Sequence, residues 1–201
     1  MSASASFDAR DLARIAIFAA LIVVLGTVAV PLPGGVPVTA QSLAVMLAGV
    51  VLGARRASFA VLIVLVLAAV GLPVLSGGRG GLGVFLGPTA GYLIGWVVGA
   101  FVIGLIVRQK AGGPAWWRIV LGTVVGGIGV IYLFGIPVQA WVTGVDLPTT
   151  LLASAVFLPG DLLKVAVATV LTRALWRAYP RAFGAPARSE VEAREPADAR
   201  A

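Results

Sequence analysis

The chain has 201 residues, of which 60% are hydrophobic and 11% are charged, and its mean hydropathy is +1.05. Soluble domains are usually about 45–50% apolar and about 25% charged, so this composition excludes a soluble globular domain and indicates a membrane protein. The net charge of +7 suggests nucleic-acid binding, but the basic residues lie singly or in pairs between apolar runs, as in membrane-protein loops.

Several chemistries are excluded by residue types that the sequence lacks. It contains no His, Cys or Asn, so it has no imidazole base, thiol nucleophile, disulfide or Asn-Pro-Ala channel motif. The ATP-binding motif G-x-x-x-x-G-K-[ST] is also absent. We therefore expect a protein that is not an enzyme and carries no cofactor or metal. Any uphill transport would draw its energy from an ion gradient or from a partner protein.

Six apolar runs, each a predicted transmembrane helix, follow one another along the chain. A membrane core about 30 Å thick needs roughly 20 apolar residues per helix. The runs cover residues 12–30, 38–53, 57–71, 88–107, 118–141 and 158–176. Prolines between 31 and 37, a glycine-rich stretch at 72–87 and Asp-Leu-Pro at 146–148 interrupt them. The sequence predicts an all-α membrane protein, with a six-transmembrane-helix bundle over residues 1–181 and a disordered cytoplasmic tail over 182–201.

The distribution of basic residues predicts the orientation of this bundle. All fifteen Lys and Arg residues except Arg79 and Lys164 lie near the start of the first run, between the second and third, between the fourth and fifth, or from the end of the sixth onward. These are alternate connections, and cytoplasmic loops are the ones enriched in Lys and Arg. We therefore expect both termini in the cytoplasm, in a multi-pass protein of the cytoplasmic membrane that binds no nucleic acid.

Asp161 and Lys164 are ionisable residues that this loop pattern does not explain. They lie three residues apart at the start of the sixth run, and therefore on one helix face. In one interpretation, the helix dipole stabilises Asp161 and Lys164 is its counter-ion. In the other, the pair faces a cavity, where Asp161 accepts hydrogen bonds and Lys164 donates them. We favour the second, because Lys164 lies one turn inside an apolar helix, where a charge is costly.

Arg79 is another unexplained charge, and it lies between two Gly-Gly pairs. Glycines let a backbone approach a ligand closely, and a guanidinium suits a carboxylate; the alternative is a loop charge in contact with lipid phosphate. Thr39, Gln41 and Ser42 add neutral hydrogen-bonding groups at the start of the second run. Alternatively, Thr39 or Ser42 simply caps that helix.

Three alanines, Ala13, Ala16 and Ala20, recur at steps of three and four along the first run. Small residues at this spacing let another helix approach closely. The approaching helix belongs either to the same chain or to another protein, and the spacing alone leaves both interpretations open.

Three ordered blocks of sequence carry a resemblance to a known family. The first is VPVTAQSL at 36–43 followed by LGARR at 52–56. The second is GLPV at 71–74, GGRGG at 77–81 and GPTAGY at 87–92, and the third is LPGDLLK at 158–164. Together they resemble the BioY family, the biotin-binding S component of energy-coupling factor (ECF) transporters, over about residues 10–180.

The resemblance implies a six-helix S-component fold and high-affinity biotin uptake, with biotin bound from outside. The ureido ring of biotin would donate to Asp161, whereas Lys164 would donate to the ureido carbonyl or reach the carboxylate. Arg79 is expected at the carboxylate. The other expected substrate-binding residues are Thr39, Gln41 and Tyr92.

The family also works with a membrane T component and two ATPase subunits, which agrees with the missing ATP-binding motif. Its small-x-x-x-small pattern on the first helix matches Ala16 and Ala20, so these alanines, with Ala13, are expected to dock the T component. Two other functions stay open from the sequence. The chain is alternatively an S component for another vitamin, or a small stand-alone ion-coupled carrier.

Overall fold

A computed structural model describes residues 8–27, 29–30, 36–107 and 113–183. Within these residues the chain forms six long helical segments, as predicted, and a short 3-10 helix, Leu82–Phe85, between the third and the fourth. The first four are single helices. The fifth joins two α-helices through a π-helical turn, and the sixth joins two through a 3-10 turn. The α-helices are α1 (Ala9–Gly26), α2 (Gln41–Leu52), α3 (Ala54–Ala69), α4 (Ala90–Val107), α5 (Trp116–Val124), α6 (Ile131–Thr143), α7 (Leu147–Ser154) and α8 (Leu158–Ala178).

The connection between α1 and α2 contains two short strands, β1 (Ala29–Val30) and β2 (Val38–Thr39). They pair antiparallel, with Ala29 opposite Thr39. The predicted end of the first helix at residue 30 and the predicted start of the second at residue 38 are therefore wrong. The residue before a proline is disfavoured in a helix, as Val30 is before Pro31. Strand pairing instead provides partners for backbone groups near the membrane.

A single residue, Gly53, separates α2 from α3, and its φ of 77° lies in the left-handed region. Glycine adopts this conformation at little cost, whereas a residue with a Cβ is strained there, so one glycine is enough for the turn. Arg55 and Arg56 consequently lie in the first turn of α3. The prediction that α3 begins after these two arginines is wrong.

α4 is the central helix, and glycines on one face let it pack closely against the fifth segment. It packs against α2, α3, α5 and α6. A Cβ added to Gly91, Gly95 or Gly99 would collide with backbone atoms of residues 126–134. Small residues commonly form such interfaces between transmembrane helices, and here they join two segments of the same chain.

The fifth segment is one continuous helical rod from residue 116 to 143, which includes the predicted run of 118–141. Its π-helical turn, Val125–Val130, contains three glycines. Gly126 packs against α4, and Gly127 packs against the side chain of Met46 on α2. Such turns occur often at functional sites, and this one reaches the cavity described below.

The connection before α8 is helical, which the sequence analysis did not predict. Asp146 caps α7, because its carboxylate accepts a hydrogen bond from the Thr149 backbone N–H at 2.9 Å. Pro148 lies in the first turn, where its missing N–H breaks no helical bond. The hydrogen bond from Thr149 lowers the pKa of the exposed Asp146 carboxyl below its ordinary value. Asp146 therefore begins a helix, although Asp-Leu-Pro at 146–148 was expected only to interrupt the apolar runs.

Ion pairs join α1 and α3 at one end of the bundle. Asp11 lies 2.9 Å from a guanidinium nitrogen of Arg56 and 3.9 Å from one of Arg14. Arg14 also donates to the backbone oxygen of Arg181 at 2.6 Å, in the 3-10 turn that follows α8. The predicted tail of 182–201 lies outside the described residues, except for the first two, which end this turn.

Three segments are by themselves long and apolar enough to cross a membrane: 90–107, 116–143 and 147–178. α2 and α3 are shorter, with 12 and 16 residues. α1 is long enough at 18 residues but carries three charged residues in its first two turns. Many large apolar side chains on the outside of the bundle are exposed, as expected for surfaces that contact lipid.

Candidate functional site

A cavity opens at the end of the bundle opposite the Asp11–Arg56 ion pair. Its walls come from the first connection, the loop at 75–79, the π-helical turn and the starts of α2, α4, α6 and α8. The volume open to the centres of water molecules is about 80 Å³, whereas one water needs roughly 10–15 Å³ on the same measure. All six residues predicted to bind substrate line this cavity: Thr39, Gln41, Arg79, Tyr92, Asp161 and Lys164.

A chain of hydrogen bonds centred on Asp161 joins three segments at one wall. Its Oδ1 accepts from Lys164 Nζ at 2.9 Å, and its Oδ2 accepts from the Tyr132 hydroxyl at 2.6 Å. Lys164 Nζ also donates to Ser42 Oγ on α2 at 2.9 Å. Asp161 is 7% exposed, and a buried carboxylate needs such partners because its desolvation is costly.

The position of Asp161 favours the cavity interpretation over the helix-dipole one. The 3-10 turn before α8 continues back into α7, so Asp161 does not lie at a free helix end. Phe157, at the N-cap of α8, makes no side-chain capping bond. The Asp161 carboxylate is instead held by side chains that line the cavity with it.

Arg79 lies on a second wall, in a tight loop closed by a backbone bridge between Leu75 and Arg79. Its Nε donates to the backbone oxygen of Ser76 at 3.1 Å. Among the described residues, every ion pair uses Asp11 or Asp161, so Arg79 has no carboxylate partner there. A guanidinium with free donors at the edge of a cavity can bind a ligand carboxylate in bidentate fashion.

Gln41 contributes a buried acceptor to the cavity. Its side chain is inaccessible to solvent, and Nε2 donates to the backbone oxygen of Val74 at 3.0 Å. The amide also packs against Gly26 of α1, where a Cβ would not fit. Gln41 Oε1 has no hydrogen-bond partner among the described residues. Unsatisfied buried polar atoms are costly, so this oxygen is an unusual feature of the cavity wall.

Aromatic side chains form the apolar part of the wall. Tyr92 and Tyr132 pack edge to face with ring centroids 6.4 Å apart, and Trp96 and Phe157 lie beside them. The Tyr92 hydroxyl donates to Gln139 Oε1 at 2.7 Å, so Tyr92 offers the cavity chiefly its ring. Ligand sites commonly combine such apolar walls with a few convergent polar groups.

The structure corrects the capping alternative for the second helix. Ala40 is the N-cap of α2 and no side-chain capping bond is present. Thr39 belongs to β2, and Ser42 accepts from Lys164. Four further residues of the site were not predicted from the sequence: Tyr132, Trp96, Phe157 and Ser76. Only Tyr132 gave a signal, as a polar group inside an apolar run.

Ala13, Ala16 and Ala20 lie on the outer face of α1, and all three are exposed. The face of α1 that packs against α2 and α3 carries Ile15, Ala19 and Ile22 instead. Packing of the three alanines within the chain is therefore excluded for the described residues. They form an unoccupied small-residue surface on the outside of the bundle.

Comparison with known proteins gives consistent matches over most of the chain. The family model of the BioY family matches residues 1–181. The biotin transporter BioY of Rhizobium etli is 51% identical over 179 residues, which cover 85% of this chain and 95% of the relative. The biotin transporter BioY of Rhodobacter capsulatus is 49% identical over 184 residues, covering 87% and 97%.

A solved structure, the S component for biotin from an ECF-type ABC transporter, superposes with a TM-score of 0.79. It is 30% identical to this chain, and the match covers 88% of this chain and 95% of the solved one. The match confirms the predicted six-helix membrane fold of the S-component type. The family model and these relatives each cover most of the chain, and the chain therefore belongs to the BioY family.

Proposed function

We propose that this protein binds biotin in the cavity and takes it up across the cytoplasmic membrane as the substrate-specific component of an ECF-type transporter. The observation that carries the proposal is that one cavity is lined both by the joined Asp161, Lys164 and Tyr132 and by Arg79, which has no carboxylate partner among the described residues. Biotin has a ureido ring at one end and a carboxylate at the other, and these two walls complement those two ends. The relatives named as biotin transporters support the same substrate.

The ureido ring is assigned to the Asp161 wall. Its two N–H groups are donors, and Asp161 is the carboxylate in the cavity that can accept them. Lys164 is held by Asp161 and Ser42, and an ammonium has three donors, so one remains for the ureido carbonyl. The buried Gln41 Oε1 is a further acceptor without a donor in the described structure.

The carboxylate of biotin is assigned to Arg79. Lys164 already neutralises Asp161, whereas the guanidinium of Arg79 donates only to Ser76 among the described residues. The thiophane ring and the aliphatic tail would lie between these polar ends, against Tyr92, Trp96 and Phe157. Burying this apolar surface would supply a large part of the binding free energy.

The orientation with both termini in the cytoplasm is part of the proposal. The cavity lies at the bundle end that carries Arg79 and Lys164, while the other basic residues of the described structure lie toward the opposite end or its connections. The positive-inside rule then directs the cavity to the outside. This orientation suits a protein that captures biotin before uptake.

The exposed alanine face of α1 is assigned to the T component. Ala13, Ala16 and Ala20 leave room for a closely approaching helix, and all three are exposed in the described part of the chain. The T component and two ATPase subunits would supply the energy, since the sequence has no ATP-binding motif of the P-loop type.

Calorimetric titration of biotin into the detergent-purified protein, without ATP, tests the proposal. We expect saturable binding at micromolar biotin or below, and a panel of other vitamins should give no comparable heat. A folded preparation that binds no biotin at these concentrations would refute the assignment. Tight binding of another vitamin instead would redirect it to an S component for that vitamin.

A further inference from the structure

A second cavity lies at the opposite end of the bundle from the biotin site, between the start of α5 and the end of α8. The centre of a water molecule can reach about 230 Å³ of it, nearly three times the value for the first cavity. Nothing in the proposed function uses it. It is lined by Pro114, Ala115, Trp116, Arg173, Trp176 and Arg177.

Two arginines give this second cavity its charge. Arg173 and Arg177 lie four residues apart on α8, and therefore on the same helix face. The ion pairs of the described residues use only Asp11 and Asp161 as carboxylates, so neither arginine has a carboxylate partner within that part of the chain. Like charges at this spacing repel each other, and an anion held between them would remove the repulsion.

The second cavity lies at the level of the lipid headgroups in the membrane. The segment from 147 to 178 has 32 residues, or about 48 Å at 1.5 Å per residue, whereas the hydrocarbon core is about 30 Å thick. The part of this segment that follows the first cavity, α8, has 21 residues and a length of about 32 Å, so its last turn, with Arg173 and Arg177, lies near the far boundary of the core. Trp116 is 58% exposed and Trp117 is 50% exposed, and exposed indoles are typical of the membrane interface.

The chemistry of the walls favours a lipid over a soluble anion. Val170, one turn before Arg173 on the same face of α8, is 67% exposed and offers a path for an acyl chain. The two indoles, Trp116 and Trp176, offer apolar surface beside the charges. A soluble phosphate would use the guanidinium groups but would leave this apolar surface without a partner.

We propose that this cavity binds the phosphate group of an anionic phospholipid in the cytoplasmic leaflet. Guanidinium groups bind phosphate oxygens through paired, charge-assisted hydrogen bonds. Basic pockets between transmembrane helices on the cytoplasmic side bind such headgroups. The inference goes beyond the proposed function and shares with it only the orientation of the bundle.

Native mass spectrometry of the full-length protein, purified in detergent with equal amounts of phosphatidylglycerol and phosphatidylcholine, tests this proposal. The parent should retain phosphatidylglycerol at least about tenfold more than phosphatidylcholine. The double variant Arg173→Gln, Arg177→Gln should lose this preference. The matched control Arg10→Gln, Arg118→Gln removes the same charge near the same end of the bundle and should keep the preference.

Several results would overturn the site. A parent without preference has no such site, and an equal loss in both double variants would indicate a general effect of charge. Displacement of the lipid by millimolar inorganic phosphate would assign the cavity to a soluble anion instead. Biotin titration of the same samples separates this inference from the proposed function, because the two cavities lie at opposite ends.

A second measurement does not need the glutamine variants to fold. Brominated phosphatidylglycerol should quench the tryptophan fluorescence of the parent in liposomes more strongly than brominated phosphatidylcholine. Replacing both Trp116 and Trp176, the two tryptophans that line the cavity, with Phe should remove most of the difference between the two lipids. Equal quenching by both lipids in the parent would contradict the proposal.

Discussion

Replacing Asp161 with Asn tests the proposed recognition of the ureido ring. Asn keeps the size of the side chain and an acceptor oxygen but removes the charge that accepts from Lys164 at 2.9 Å and Tyr132 at 2.6 Å. Hydrogen bonds to charged groups contribute about 1.5–3 kcal/mol. Losing the equivalent of one such bond to biotin corresponds to a dissociation constant raised about 10- to 150-fold.

The assay is calorimetric titration of biotin into the purified variant, with thermal unfolding measured on the same sample. Asp146→Asn is the matched control, because it makes the same chemical change in the same helical segment, on an exposed residue outside the cavity. Asn is as good an N-cap as Asp, so α7 should stay intact and biotin binding should be unchanged.

An Asp161→Asn variant that is folded and binds biotin like the parent would refute this reasoning. Asp161 would then serve only to neutralise Lys164 and to hold α8 against α2 and α6. Equal weakening in the Asp146→Asn control would instead indicate a long-range effect of negative charge at this end of the bundle.

Three further substitutions test other parts of the proposal. Arg79→Gln should weaken biotin binding about tenfold but leave the binding of biotin methyl ester unchanged. Equal weakening of both ligands would exclude Arg79 as the carboxylate partner. Ala16→Trp should abolish biotin uptake in cells that supply a T component and its ATPases. The purified variant should still bind biotin with the affinity of the parent in calorimetric titration. Loss of both uptake and binding would exclude the docking role of this face. Gly99→Leu should lower the thermal unfolding temperature sharply, because the side chain meets the backbone at Gly126. Gly83→Leu, where the space is open, should leave that temperature nearly unchanged.

Much of the architecture follows from the lengths of the hydrophobic runs. In the membrane, the backbone N–H and C=O groups of each segment must be hydrogen-bonded within the protein, which favours helices. The end of α1 and the start of α2 could not be predicted, because apolar β-branched residues such as Val30 suit both a helix and a strand. The single-residue turn at Gly53 was also missed. Its backbone angle depends on how α2 and α3 pack, which a sequence pattern does not report.

The polar residues of the cavity were predictable for a different reason. Charges such as Asp161 and Lys164 are costly in an apolar run, so each one indicates a function. Trp96 and Phe157 gave no such signal, since aromatic residues are ordinary on both the lipid face and the inner face of a helix. Which face each ring occupies depends on how the segments pack.

The shortness of α2 has a consequence for how the cavity meets its ligand. Twelve residues rise about 18 Å, so Gln41 lies only that far from Gly53, well short of the roughly 30 Å hydrocarbon thickness. The floor of the cavity therefore lies below the membrane surface, where dissolved ions have little access. Because mobile ions screen buried charges far less than exposed ones, the dissociation constant for biotin should change little between low and physiological salt. The capture of biotin would then be insensitive to the ionic strength of the surrounding medium.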